Sequence, residues 1–388
     1  MRATVAKIYL KNLQNNIIQL RKRISPDAKM CIAIKADAYG HGAVVCAKEA
    51  VKLGVDYLAV ATVDEGIELR NAGITVPLLL LSLCQPPEFS DLVKFNLTPL
   101  VFDNEYIDGI ARECKAQGKK DFAVHLAVDS GMGRIGCLPE DAGRVAEYIN
   151  STESLKLGGM CTHFSVADCN SKSDIKYTEG QFKKFMSAVQ NVKDAGIDPG
   201  IRHCANSALT LLRPDMHLDM CRPGIVVYGY YPGDFDRQTL KKLGIDIELK
   251  PVMALESEVC AIRDFAPGMS VSYGRKWTSK KPTKIAVLPV GYADGLFRCF
   301  NQDKVSLKVT IGGREYPVCG RICMDQCMVD LGPDNNDVKR WDKVLFFGPE
   351  ESGALQSAQK IADDTKTISY EITCGVSKRV PRVFIEGV

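Results

Sequence analysis

From about residue 29 to residue 230 the chain alternates short apolar runs with amphipathic stretches, and this rhythm limits the possible folds more than any other feature. The runs cover residues 30–34, 57–61, 78–82, 97–102, 122–128, 156–163 and 200–204, with a last one at either 217–221 or 225–228. They lack strict alternation, as strands buried on both faces of a parallel sheet do. Helix-like segments lie between several of them: 43–53, 65–71 ending at Gly73, and the longer 174–195. Eight strand signals separated by helices predict a (β/α)8 barrel, a fold that gathers its chemistry where the strands end. Lys35, Asp129, His163, His203 and Arg222 each stand at the end of such a run or directly after it.

Beyond about Pro251 the texture changes. Residues 252–262, 284–290, 305–311, 328–331 and 343–347 read as strands separated by Gly, Pro and Asp turns, with little helical periodicity. The expected organisation is a barrel over 1–242 and a smaller, mostly β domain over 243–388, joined near the charged stretch 233–250. The first ten or so residues are free to pair with the second domain.

A length of 388 residues, 46% hydrophobic and 25% charged, suffices for two such cores. The formal charge of +3 and the lack of a dense basic run with interleaved aromatics argue against a nucleic-acid partner. Apolar runs such as 76–83 are too short to cross a bilayer, and residues 1–8 carry no signal-peptide apolar core, so a cytoplasmic protein without a membrane partner is expected. The fifteen cysteines then read as reduced thiols, many of them small core fillers. Cys319, Cys323 and Cys327 are evenly spaced, without the close pair and second pair of a structural zinc site, so no metal is expected.

The densest chemistry lies in Ile32-Ala33-Ile34-Lys35-Ala36-Asp37-Ala38-Tyr39-Gly40-His41-Gly42. An ammonium at the end of a buried strand loses hydration, which lowers its pKa and leaves a nucleophilic amine. Spacing alone does not separate this from a lysine snorkelling at a strand end. Gly131-Met132-Gly133-Arg134-Ile135-Gly136 formally matches a dinucleotide-binding GxGxxG, but Pro139 opens the helix after the glycines rather than within them. A tight turn presenting Arg134 at the end of the fifth strand explains them better. Ser207 begins a helix after a strand, where a hydroxyl and free N–H groups suit a phosphate. Gly224 lets backbone approach an anion closely.

With these segments stand Thr162-His163-Phe164, Arg202-His203-Cys204-Ala205-Asn206-Ser207, Cys221-Arg222-Pro223-Gly224-Ile225 and Val271-Ser272-Tyr273-Gly274-Arg275. Pro289-Val290-Gly291-Tyr292-Ala293-Asp294-Gly295, Gly320-Arg321-Ile322-Cys323-Met324-Asp325 and Ile368-Ser369-Tyr370-Glu371 follow. In order and wording the set closely resembles the motifs of alanine racemases, from Lys35 to the terminal Pro381-Arg382-Val383. The resemblance implies a pyridoxal 5'-phosphate (PLP) enzyme that interconverts L- and D-alanine and supplies D-alanine for peptidoglycan. Lys35 would carry the cofactor and serve the D-isomer face; Tyr273 would be the base on the L-isomer face. Inverting a Cα centre needs a base on each side of the cofactor plane. The resemblance places the phosphate against Tyr39, Asn206, Ser207, Gly224, Ile225 and Tyr370, with Tyr370 also beside the substrate methyl group. Arg134 would reach the phenolic oxygen and the substrate carboxylate, and the Met324 N–H would hold that carboxylate too. His163 would lie against the ring, with Tyr292 and Asp325 in support. Arg222 would face the pyridine nitrogen with His203 orienting it. Guanidinium does not surrender its proton, so the ring stays a weak electron sink that resists leakage into transamination. In the family the tyrosine base comes from the partner subunit, which implies a homodimer with shared sites.

One position departs from the family. Many of its members place a carbamylated lysine where this chain has Ala127, so Arg134 must find its counter-charge in Asp129, water, a bound anion or another side chain. Three rival readings keep the cofactor. A serine or broad-specificity racemase differs little in pocket demands. A barrel-fold decarboxylase of basic amino acids would need a side-chain pocket that Tyr292 and Tyr370 would narrow. A PLP-carrying barrel without turnover would lack the second-domain motifs.

Overall fold

The computed structural model describes residues 2–301, 305, 307–333 and 335–387. Its first strand, β1 (Val5–Tyr9), precedes the barrel. The barrel strands are β2 (Lys29–Ala33), β3 (Tyr57–Val60), β4 (Leu78–Leu80), β5 (Leu97–Val101), β6 (Phe122–Ala127), β7 (Leu155–Cys161), β8 (Ile201–His203) and β9 (Met220–Cys221). They pair in parallel in the order β8-β7-β6-β5-β4-β3-β2-β9. Between β8 and β9 the ring is joined by backbone bonds from Asp219 N–H to Arg202 O (3.0 Å) and from Arg222 N–H to Ala205 O (2.8 Å). The Arg202 guanidinium also grips the Asp219 carboxylate with two bonds of 2.6 and 2.7 Å. Of the two candidates for the last strand, the first is realised; Ile225–Tyr228 is a 3-10 turn that packs under the site.

The outer helices follow from local signals. Val63–Asn71 starts at a capping box, in which the Thr62 hydroxyl accepts from Glu65 N–H and the Glu65 carboxylate accepts from Thr62 N–H. Lys172–Asp194 starts at Ser171, whose hydroxyl accepts from Asp174 N–H. Inside the barrel, one side chain from each of β2 to β7 and from β9 forms a small core of its own: Cys31, Ala59, Leu79, Leu100, Ala127, Cys161 and Met220. Four of these are Ala or Cys, and their small size leaves room above the layer, at the C-terminal ends of the strands.

The second domain contains β10 (Met253–Glu258), β11 (Ala261–Phe265), β14 (Thr283–Leu288), β15 (Lys308–Ile311), β16 (Arg314–Cys319), β17 (Cys327–Gly332), β18 (Lys343–Phe347) and β19 (Arg382–Ile385). Strands β12 (Ser270–Val271) and β13 (Trp277–Thr278) form a separate ribbon. The main sheet runs β11-β14-β17-β16-β15-β18-β10-β1-β19, so the N-terminal strand leaves the barrel and pairs antiparallel with β10 and parallel with β19. The single strand expected over 252–262 is two. At Val259 and Cys260 the backbone turns from one partner to another, bonding Asp342 O and Val287 O, so β10 pairs with β18 and β11 with β14. Ten of the fifteen cysteines are buried, which fits their reading as core fillers.

Candidate active site

At the C-terminal end of the barrel strands opens a cavity of about 520 Å³. Among the residues singled out from the sequence, Lys35, Tyr39, Arg134, His163, Asn206, Ser207, Arg222, Gly224, Ile225 and Tyr370 line it. Leu100, Ala127 and Cys161, from the small inner core, contribute its floor.

Lys35 opens an unusual turn. Ala36, Asp37, Ala38 and Tyr39 all have φ between 52° and 55°, a left-handed turn of L-residues. Each such residue costs about 1–2 kcal/mol, so the surroundings must hold it. One Glu65 oxygen accepts from Ala36 N–H and the other from Ala61 N–H, both at 2.7 Å. The Asp37 carboxylate accepts from Ala43 N–H at 2.7 Å. His41 Nδ1–H is shared between the carbonyls of Ala38 (2.9 Å) and Tyr39 (3.0 Å). Gly40 ends the turn at φ +85°, where a Cβ would lie 2.2 Å from the Thr373 carbonyl oxygen. Strand β2 and this turn place Lys35 in the cavity, where burial, and then the positive charge of Arg134, push its ammonium pKa down.

The turn also delivers Tyr39. Its ring packs against Tyr228 and Tyr370 at centroid distances of 5.0 and 5.8 Å. Burial raises the pKa of both Tyr39 and Tyr370, so both hydroxyls are protonated donors at neutral pH. Gly224 N–H donates to the Ser207 hydroxyl at 2.9 Å, and a Cβ on Gly224 would sit 2.7 Å from the Tyr39 hydroxyl. Asn206 caps the helix Ser207–Leu212 by accepting from Ala208 and Leu209 N–H. These groups lie together at one end of the cavity, with the neutral hydroxyls of Tyr39, Ser207 and Tyr370 among them.

At the other end Arg222 is 8% exposed and has no carboxylate partner among the described residues. Its Nη1 donates to His203 Nδ1 (2.7 Å) and His203 O (2.8 Å), and its Nη2 to Thr162 O (2.9 Å). His163 is pushed down to about 3 by burial and then by the charges of Arg222, Arg134 and Lys35, so its ring is neutral. Asp129 is not the counter-charge of Arg134: its carboxylate accepts from Gly131 and Gly133 N–H at 2.9 and 3.0 Å and thereby fixes the glycine turn. Among the described residues Arg134 has no hydrogen-bond partner or ion pair.

Tyr273, Tyr292, Met324 and Asp325 do not line the cavity. They form a second cluster on the β domain. Tyr273 is 67% exposed and follows Ser272, whose φ is 63° and whose hydroxyl donates to Arg321 O at 2.6 Å. Tyr292 N–H bonds Cys323 O (2.9 Å) and Ala293 N–H bonds Met324 O (3.0 Å), which fastens two loops together. Arg379 ties Asp325 at 2.6 Å to the buried Asp294. Two contributors escaped the sequence reading. Glu65 was hidden because the N3 acid of a capping box reads as a helix-start signal, and His125 because it lies inside a strand rather than at its end. Among the described residues no group of three or more His, Cys, Asp or Glu is placed to hold a metal ion, and no helix is long and apolar enough to cross a membrane.

Comparison with known proteins agrees with this arrangement. Residues 8–232 match the family model of the alanine racemase N-terminal domain, and residues 252–384 that of the C-terminal domain. An alanine racemase of Treponema denticola is 47% identical over 388 residues, covering 100% of this chain and 99% of the relative. The structure of alanine racemase from Clostridium difficile 630 superposes with a TM-score of 0.90 at 41% identity, covering 100% of this chain and 97% of that one. A cycloserine complex of the C. difficile enzyme gives 0.88 at 39%, covering 100% and 96%. The chain belongs to the alanine racemase family.

Proposed function

We propose that this chain interconverts L- and D-alanine with PLP as cofactor, by a two-base mechanism in which Lys35 and Tyr273 work on opposite faces. The observation that carries the reading is the cavity itself, lined by a half-buried lysine of lowered pKa, by the hydroxyls of Tyr39, Ser207 and Tyr370, and by Arg222, which has no acid partner among the described residues. PLP fits those residues. The Gly224 position, where a Cβ would crowd the Tyr39 hydroxyl, suits a phosphate held by Tyr39, Ser207, Tyr370 and the backbone of Gly224 and Ile225. Neutral His163 offers a flat face to a ring, and Arg222 offers charge and donors to a ring nitrogen. When bound, PLP supplies the electron-withdrawing ring that makes a substrate Cα–H acidic.

The protein side of the chemistry follows. The lowered pKa of Lys35 favours the neutral amine, which would attach the cofactor and then take or return the Cα proton on the D-isomer face. Tyr273 handles the L-isomer face. A free tyrosine, with a pKa of about 10, is ionised to only roughly a thousandth at neutral pH, so the base needs positive charge nearby. Arg134 and the Met324 N–H hold the substrate carboxylate, and Tyr370 borders the substrate methyl group.

Tyr273 and Met324 are exposed here, so the reading includes a homodimer in which the partner's β domain completes each site. We also read the enzyme as cytoplasmic and its product as a peptidoglycan precursor. Mixing Lys35→Ala and Tyr273→Phe chains, each inactive alone, tests the central point. Subunit exchange is expected to restore racemisation, read by chiral chromatography of alanine; verified exchange with no recovery would refute the shared site.

A further inference from the structure

Behind Arg222 lies a buried chain of two histidines, and its far member has a slot built for it. Strand β6 breaks register with β7 at His125: Val124 faces Leu157, but His125 faces Gly159, so Gly158 bulges out. A Cβ on Gly159 would meet His125 Cε1 at 2.8 Å, and one on Gly158 would lie 3.4 Å from its Cδ2. The glycine pair and the bulge make the space that the imidazole fills. There His125 is 2% exposed, with Nδ1 2.8 Å from His203 Nε2, while His203 Nδ1 lies 2.7 Å from Arg222 Nη1.

Proton bookkeeping along this chain has one solution. Guanidinium only donates, so His203 Nδ1 must carry a lone pair and His203 Nε2 the proton. That buried N–H then needs an acceptor, which only an unprotonated His125 Nδ1 supplies. We infer that His125 is a positioning residue whose Nδ1 lone pair fixes the His203 tautomer and, through it, the seat of Arg222. In the other tautomer, two N–H groups would oppose each other across 2.7 Å. Burial, and then the charge of Arg222, hold both imidazoles neutral, and no acid terminates the chain among the groups hydrogen-bonded along it. The positive charge therefore stays on the guanidinium. The tautomer assignment stands on this chain alone; its consequence at the cofactor ring rests on the PLP reading above.

The test is 15N labelling of the five histidines, with imidazole tautomers read by NMR on cofactor-free and PLP-loaded protein. In both forms His203 and His125 are expected to be neutral, protonated on Nε2. His125→Phe should release the His203 tautomer and lower kcat by about 10- to 100-fold, with KM for alanine little changed and pyruvate appearing as a side product. His125→Asn, which restores an acceptor, should recover the His203 tautomer and most of kcat. If the Phe variant fails to fold, the tautomers of the unmutated protein and of the Asn variant still decide. A His203 protonated on Nδ1 would overturn the inference, as would a folded Phe variant with unchanged tautomer and kcat. Normal tautomers in a protein that never binds PLP would instead refute the cofactor reading and leave the relay intact.

Discussion

The barrel end and the β domain present their site residues in opposite ways. In the barrel, Lys35, His163 and Arg222 are drawn into one cavity, and burial lowers the pKa of Lys35 and of His163. On the β domain, Tyr273 and Met324 stand 67% and 52% exposed, held by backbone ties and turned largely to solvent. The first cluster is enclosed within its own chain and, on the proposed reading, would take an anion and a flat ring. The second is a rigidly mounted set of groups awaiting a surface. On the proposed reading, a single chain would hold the cofactor but only half of a two-base catalyst, which is why we place the second base across a dimer.

Mutating one residue from each cluster probes that division most sharply. Lys35→Ala should lose racemisation in both directions by at least about 10⁴-fold, together with the covalent attachment of PLP. Borohydride reduction and peptide mapping of the unmutated enzyme should find the label on Lys35. Tyr273→Phe should lose about 10²–10⁴-fold in activity while the visible absorption of bound cofactor persists, because the tyrosine lies outside the cavity. If Tyr273→Phe also released the cofactor, the two clusters would not be separable as described.

A second change stays inside the barrel cluster. Gly224→Ala puts a Cβ 2.7 Å from the Tyr39 hydroxyl, and neither the backbone at 224 nor the left-handed turn behind Tyr39 yields easily. PLP affinity should fall by about tenfold or more, by fluorescence titration, as preorganised contacts to the phosphate are lost. The same substitution at Gly353, on the β domain and far from the cradle, should leave cofactor affinity unchanged. Equal losses from both would mean that the cradle is not where PLP binds.

The same contrast explains what could be read from the sequence. Barrel strand ends were legible because a parallel strand is a short apolar run and a reactive residue stands directly after it, as at Lys35, His163 and Arg222. The β-domain loops were legible only through family wording, since Tyr273 and Met324 in isolation read as ordinary exposed side chains. Strand β16 escaped because Arg314, Glu315 and Pro317 break its apolar pattern, and the division of 252–262 into β10 and β11 because a change of partner leaves no mark in hydrophobicity. His125 escaped because its role depends on a bulge opposite two glycines. The left-handed turn at Ala36–Tyr39 was invisible because alanine and tyrosine do not favour that conformation, which is imposed by Glu65, Asp37 and His41.

Acid should separate the two regions again. All five histidines lie in the barrel. His41, His125 and His163 are lowered to about 4, about 4 and about 3, in each case chiefly by burial. Their folded pKa values lie below the unfolded value of about 6.5, so below that pH the unfolded chain takes up protons that the folded chain refuses. Stability is complete above about pH 6.5 and declines toward pH 4, by up to about 1.4 kcal/mol per pH unit for each histidine. In the β domain burial raises the Asp294 carboxyl, but its bonds to Arg2 and Arg379 outweigh this and lower it below 3.8, so its contribution is lost only at more acid pH. Hydrogen exchange at pH 5 should therefore loosen the barrel before the β sheet, and urea midpoints should fall between pH 7 and pH 5. Uniform loosening would show that the two regions do not differ in this respect.

The smallest expected effect comes from Ala127, the position at which the sequence departs from the alanine racemase pattern it otherwise resembles. Ala127 closes the cavity floor with a methyl group, and among the described residues Arg134 has no ion pair to orient it. A guanidinium without a fixed partner attracts a carboxylate strongly but aims it loosely. The unmutated enzyme should show no dependence of rate on bicarbonate. Ala127→Lys would bring a second cation beside Arg134 unless its amine adds carbon dioxide, forming a carbamate anion and releasing a proton. The variant should therefore be destabilised in carbonate-free buffer and recover in bicarbonate, with kcat and KM then shifting by only about a few-fold, since orientation rather than chemistry changes. Halide titration separates the alternative, in which a small anion already occupies the space beside Ala127: added chloride would then change KM for the unmutated enzyme and not for the carbamylated variant. A clear bicarbonate requirement of the unmutated enzyme would mean that another modified side chain fills this space, and that Arg134 is as firmly held as the rest of the barrel cluster.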